Sequence, residues 1–120
     1  LGGKLGIYNS TVKEQFVPYL RTQDCGNHAY TRFMTLSDDR HSITVTADKP
    51  MDMQAGHYTP QELECASYPH QLPKPYCTRL LLNGFMSGVG GDDSWGAPIH
   101  EEFTHNAGEN LKFGFTIEVK

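Results

Sequence analysis

No apolar run in this sequence approaches the roughly 20 residues that a membrane-spanning helix needs, so a membrane partner is not expected. Basic residues are few and scattered, 10 Lys and Arg against 14 Asp and Glu, for a net charge of −4. Without a basic stripe the electrostatic footprint of a nucleic-acid binder is missing, and no nucleic-acid partner is expected. Cysteine is scarce as well. Cys25, Cys65 and Cys77 form no CxxC and are odd in number, which argues against a disulfide scaffold and points to a reducing, cytoplasmic compartment. A Cys65–Cys77 bridge stays open, as do periplasmic and secreted locations. There is no initiator methionine, and Leu1 to Gly6 is followed by polar residues rather than a signal-peptide pattern, so the start is expected to be a cut inside a longer protein.

The familiar catalytic motifs are also absent. The glycines of GVGG (88–91) are not followed by Lys-Ser/Thr, and Asp92 and Asp93 would repel a phosphate. There is no GxSxG elbow, and Cys25 near His28 is only a faint suggestion of a nucleophile pair. In HEEFTH, His100 and His105 are five apart, which is not the HExxH spacing and on a strand sends them to opposite faces, so no metal is expected. His57 and His70 flank a short helix and read as hydrogen-bonded structural residues. The carboxylate pairs Asp38–Asp39, Asp92–Asp93 and Glu101–Glu102 are chain neighbours that point apart, whereas a glycosidase needs two carboxyl groups facing one bond, about 5 to 9.5 Å from each other.

What is present is β-pattern. With 120 residues the chain has the length of one domain over 1–120, able to bury roughly two thirds of its unfolded surface, and its first 29 residues read as a loop-rich lead-in. Phe16, Val17, Tyr19 and Leu20 are expected to pack part of that lead-in down. Strands are expected at Tyr30 to Leu36 and Ser42 to Ala47, joined by a turn at Asp38 and Asp39, with a weaker third strand at Met51 to Ala55. A short helix is expected after Thr59, with Pro60 at its first position and Glu62 closing a capping box. Residues 76 to 83 read as a strand. Leu111, Phe113, Phe115, Ile117 and Val119 fall at period two, the pattern of a half-buried strand. The fold class expected is all-β, an antiparallel β-sandwich with one short helix.

The single tryptophan, Trp95, sits in GVGGDDSWGAP, a stretch nearly free of large side chains. Gly88, Gly90 and Gly91 are expected to allow positive backbone angles and close approach of another chain segment, with Asp92, Asp93 and Ser94 shaping the loop through local N–H groups. A loop fixed in this way presents the indole. Its flat face suits the C–H face of a pyranose, and covering about 60 to 80 Å² of apolar sugar at ~25 cal/mol/Å² supplies about 1.5 to 2 kcal/mol, enough to position a ligand but not to attack it. Packing of Trp95 against a neighbouring domain or the sandwich edge stays open from the residues alone.

GVGGDDSWG closely resembles a loop near the C-terminus of the large bacterial β-galactosidases of glycoside hydrolase family 2, the lac-operon type. PYLRTQDCGNH (18–28) looks like that family's PY-x-x-PQENGN segment, HYTPQEL with the later His70 looks like its motif ahead of the final strands, and LLNGFMSGVGGDDSWG continues without a gap. The likeness runs from about Tyr8 to Val119. It implies the later part of the family's fifth, small-chain domain, a β-supersandwich related to the galactose-mutarotase fold. It further implies that Trp95 stacks on a galactose or β-galactoside, and that the remaining domains or a large chain of the same enzyme are partners. The family's two catalytic glutamates, its Mg2+ and its Na+ or K+ ligands lie in earlier domains, so the resemblance implies no catalytic residue and no metal ligand here, and no hydrolysis by this segment alone. Thr22 and Cys25 depart from the family's proline and asparagine, and Asp24 stands where it has glutamate.

Two other readings fit the same exposed indole: a stand-alone carbohydrate-binding module, and a structural interaction domain. A partial sandwich leaves an open edge, which favours a fragment over a complete module and offers a route to a homo-oligomer.

Overall fold

The computed structural model describes residues 4–120, so the first three residues of the expected lead-in lie outside it. Four antiparallel strands make one sheet: β1 (His28–Ser37), β2 (Ser42–Gly56), β3 (Arg79–Asn83) and β4 (Phe115–Val119). With one short helix, α1 (Pro60–Cys65), and no closed barrel among the described residues, the architecture is all-β and sandwich-like, as the alternating pattern requires.

The long β2 organises everything else. It pairs with β1 from Ser37↔Ser42 to His28↔Met53, while its other edge takes β4 (Ile43↔Val119 to Ala47↔Phe115) and then β3 (Asp52↔Asn83 to Gly56↔Arg79). The two strands expected at Ser42 to Ala47 and Met51 to Ala55 are therefore one. Pro50, which has no N–H to give, falls in the gap between the β4 and β3 pairings and so does not interrupt the strand. The turn at 38–41 forms as expected, with both the Arg40 and His41 N–H groups donating to the Asp38 carboxylate at 2.7 Å.

β3 is shorter than the expected 76–83, because β2 ends at Gly56 opposite Arg79 and no partner remains for residues 76–78. The C-terminal strand is likewise shorter, starting at Phe115, and its apolar face is left exposed among the described residues. Phe115, Ile117 and Val119 are 40%, 52% and 70% exposed, and Leu111 and Phe113 lie outside the strand. Burial runs along β2 on the same face, from Val45 to Ala55. Val45, Met51 and Met53 form the core with Met34, Ala47, Leu80 and Leu82 around them.

α1 carries the expected cap: the Thr59 side chain accepts from the Glu62 N–H at 3.2 Å, and Glu62 accepts the Thr59 N–H at 2.7 Å. Its buried Leu63 faces inward. The lead-in is held by polar anchors rather than by its apolar residues. Phe16 is half-buried, edge-on to Tyr58, but Val17, Tyr19 and Leu20 are 57%, 64% and 76% exposed. What fastens the segment is Thr22, buried, whose hydroxyl donates to the Ala66 carbonyl at 2.6 Å just past the helix. Asp24 adds a second anchor, accepting from Gln54 of β2 at 2.5 Å and from Arg79 of β3 at 3.2 Å. These contacts give Thr22 and Asp24 a structural reason to stand where they do.

Candidate functional site

β3 and β4 are joined by the long segment 84–114, and the glycine-rich stretch lies inside it. The segment goes out and comes back, with ties joining the two limbs. At the base the His105 ring donates from Nε2 to the Met86 carbonyl at 3.2 Å, and Phe85 lies edge-on to both His105 and Phe113. Next, the Gly88 N–H donates to the Phe103 carbonyl at 2.8 Å, where a short 3-10 turn (Glu101–Phe103) reverses the chain. Further out, His100 Nε2 meets Asp92 Oδ1 at 2.8 Å. A carboxylate offers only acceptors, so this imidazole nitrogen carries the hydrogen.

Beyond that tie is the tip. One Asp93 oxygen accepts both the Trp95 N–H at 2.8 Å and the Ala97 N–H at 3.3 Å, closing a small turn around the indole's own backbone. Gly96 completes the reversal with φ 102°, a conformation that side-chain-bearing residues rarely adopt. Trp95 is left 93% exposed.

Of the residues expected to shape the loop, Asp93 acts on local N–H groups as anticipated, while Asp92 reaches across to His100 instead. None of Gly88, Gly90 and Gly91 has a positive φ; that conformation falls to Gly96. Gly88 and Gly91 are needed for close approach: a Cβ on Gly91 would meet the Ala97 carbonyl oxygen at 2.6 Å, and one on Gly88 would meet Ile99 Cγ2 at 2.6 Å. Gly90 faces open space, and nothing in the structure explains a glycine there. The Ser94 side chain forms no hydrogen bond among the described residues.

His100 and His105, weighed in the sequence only as metal ligands, are the residues that close the loop. No sequence signal announces them, because their partners are met only once the chain has reversed at 101–103. The remaining candidates are dispersed. The Cys25 thiol accepts from the Val17 N–H at 3.2 Å, and His28 bonds the Gln15 side chain at 2.7 Å, so the two are not engaged with each other. His57 pairs with the Cys77 carbonyl at 3.2 Å, and His70 stacks on Tyr68. The site offers a flat apolar surface on a tied loop, with its two nearest carboxylates committed to holding that loop.

The β-galactosidase small-chain profile matches residues 1–117. A β-galactosidase of Streptococcus thermophilus is 37% identical over 119 residues, covering 98% of this chain and 12% of that protein. One from Halalkalibacterium halodurans is 36% identical, over 97% of this chain and 12% of its own length. A β-galactosidase small subunit of Latilactobacillus sakei is 35% identical over 97% of this chain and 40% of that subunit. The chain thus spans about an eighth of the full-length curated relatives it matches and two fifths of the separate subunit. Aligned with that profile along nearly all its residues, the chain belongs to the β-galactosidase small-chain family.

Proposed function

We propose that this chain is the C-terminal, small-chain portion of a retaining β-galactosidase of glycoside hydrolase family 2, and that Trp95 is the platform on which the terminal β-D-galactose of a substrate such as lactose lies. The observation that carries this is the indole itself, 93% exposed at the tip of a loop whose two carboxylates, Asp92 and Asp93, are spent on fixing it. An apolar ring held out in water gains nothing for the fold, since it is burial that stabilises.

The chemistry belongs to the rest of the enzyme. The two glutamates, and the Mg2+ and Na+ or K+ ligands, are assigned to other domains. Among the described residues no three His, Cys, Asp or Glu side chains stand close enough to hold a metal ion. Those other domains, or a separate large chain, are the proposed partners. Ile43, Phe115, Ile117 and Val119 lie on one face of the sheet and stay exposed around the buried Val45, where the second layer of a β-supersandwich is wanted. Burying such side chains contributes about 1.5 to 3 kcal/mol each. The three free cysteines accord with a reducing, cytoplasmic compartment.

Replacing Trp95 by Ala in the full-length enzyme tests the platform: KM for lactose rises on this reading, and an unchanged KM rejects it.

A further inference from the structure

We propose that His100 is a positioning residue for substrate binding, acting on Trp95 through Asp92; this rests on the platform reading given above. The loop's outgoing limb is unusually soft, with Gly88, Gly90 and Gly91 ahead of Asp92, and a glycine-rich chain samples many backbone states unless it is fastened. The base is fastened by Gly88 to Phe103 and by Met86 to His105, both some distance in sequence from the indole. Among the described residues the tip is hydrogen-bonded to itself, by Asp93 with the Trp95 and Ala97 amides. Between base and tip, the Asp92–His100 bond joins the limbs nearest to Trp95.

The bond is exposed, His100 by 51% and Asp92 by 85%, so its effect on global stability is small. Its effect on the loop is of another kind. Losing it frees the Asp92 limb to move against the returning limb, and the fraction of molecules with the ring in its binding orientation falls. Apparent affinity falls by that same fraction, while the bond-breaking step, made by residues elsewhere, is untouched. A pair of this exposure sets the scale at about threefold.

The test uses the full-length enzyme, with lactose and an aryl β-galactoside, in four variants: Trp95→Ala, His100→Ala, His100→Gln and the double variant Trp95→Ala/His100→Ala. The expected result is that His100→Ala raises KM about threefold with kcat unchanged, and that His100→Gln, whose amide N–H still donates to Asp92, restores KM. The double variant is expected to be no worse than Trp95→Ala alone, because His100 has nothing left to position. Additive effects in the double variant overturn the proposal, as does an unaltered KM in His100→Ala when Trp95→Ala raises it. If Trp95→Ala itself leaves KM unchanged, the platform fails first and the positioning role falls with it.

Discussion

The Asp52 carboxylate accepts the Tyr30 backbone N–H at 3.2 Å and the Asn27 side-chain amide at 3.0 Å, holding Tyr30 at φ 54°. The register explains the conformation. His28 pairs with Met53 and Thr31 with Met51, so β1 carries one extra residue there, and a left-handed residue absorbs it.

Tyr30 is 83% exposed and loses little packing if replaced, while a bulky residue in the left-handed region costs about 1 kcal/mol or more. Tyr30→Asn is therefore expected to raise the unfolding free energy by about 0.5 to 1 kcal/mol, since asparagine tolerates that region. Denaturant titration reads it; a lower midpoint contradicts the strain.

Trp95→Ala is expected to weaken galactoside binding by roughly 1 to 3 kcal/mol, the scale of one stacking face and its neighbouring contacts, with the loss in KM rather than in kcat. Steady-state kinetics of the full-length enzyme separate the two.

The glycines give an internal control. Gly91→Ala places a methyl group against the Ala97 carbonyl and must displace the tip, so KM rises; Gly90→Ala meets nothing within 4 Å and leaves KM as it was. Equal effects from the two would show that the close approach at Gly91 is not what orients the ring.

At the β1–β2 turn, the Arg40 and His41 N–H groups hold the Asp38 carboxyl below its ordinary value. A depressed carboxylate contributes stability that is complete above the unfolded aspartate range and lost as pH falls through the folded value. Asp38→Asn is thus expected to flatten the acid limb of the stability curve by lowering stability at neutral pH, while strongly acidic pH is little affected. Thermal melts from neutral to strongly acidic pH show whether it does.

Local chemistry was the legible part of this fold. Thr59, Pro60 and Glu62 announced α1 because a cap is a contact between near neighbours, and the Asp38 turn was readable for the same reason. β2 reads as two strands in sequence, and Pro50 is harmless inside it only because it falls where β4 hands over to β3. The period-two face of Phe115, Ile117 and Val119 reads as half-buried in sequence, but among the described residues it stays exposed. At the site, Trp95 stood out as one indole among glycines. His100 did not, because its role exists only after two distant limbs meet.

Every hydrogen bond described for the Trp95 loop joins residues between Met86 and His105, and only the Phe85 contacts with His105 and Phe113 anchor it at the base. The finger is therefore close to a self-contained cassette, whose reach is written into its own stretch of chain rather than into the sheet beneath. Strands under it can drift in sequence without moving the indole, and the reach of the ring can be changed by lengthening or shortening the fingertip alone.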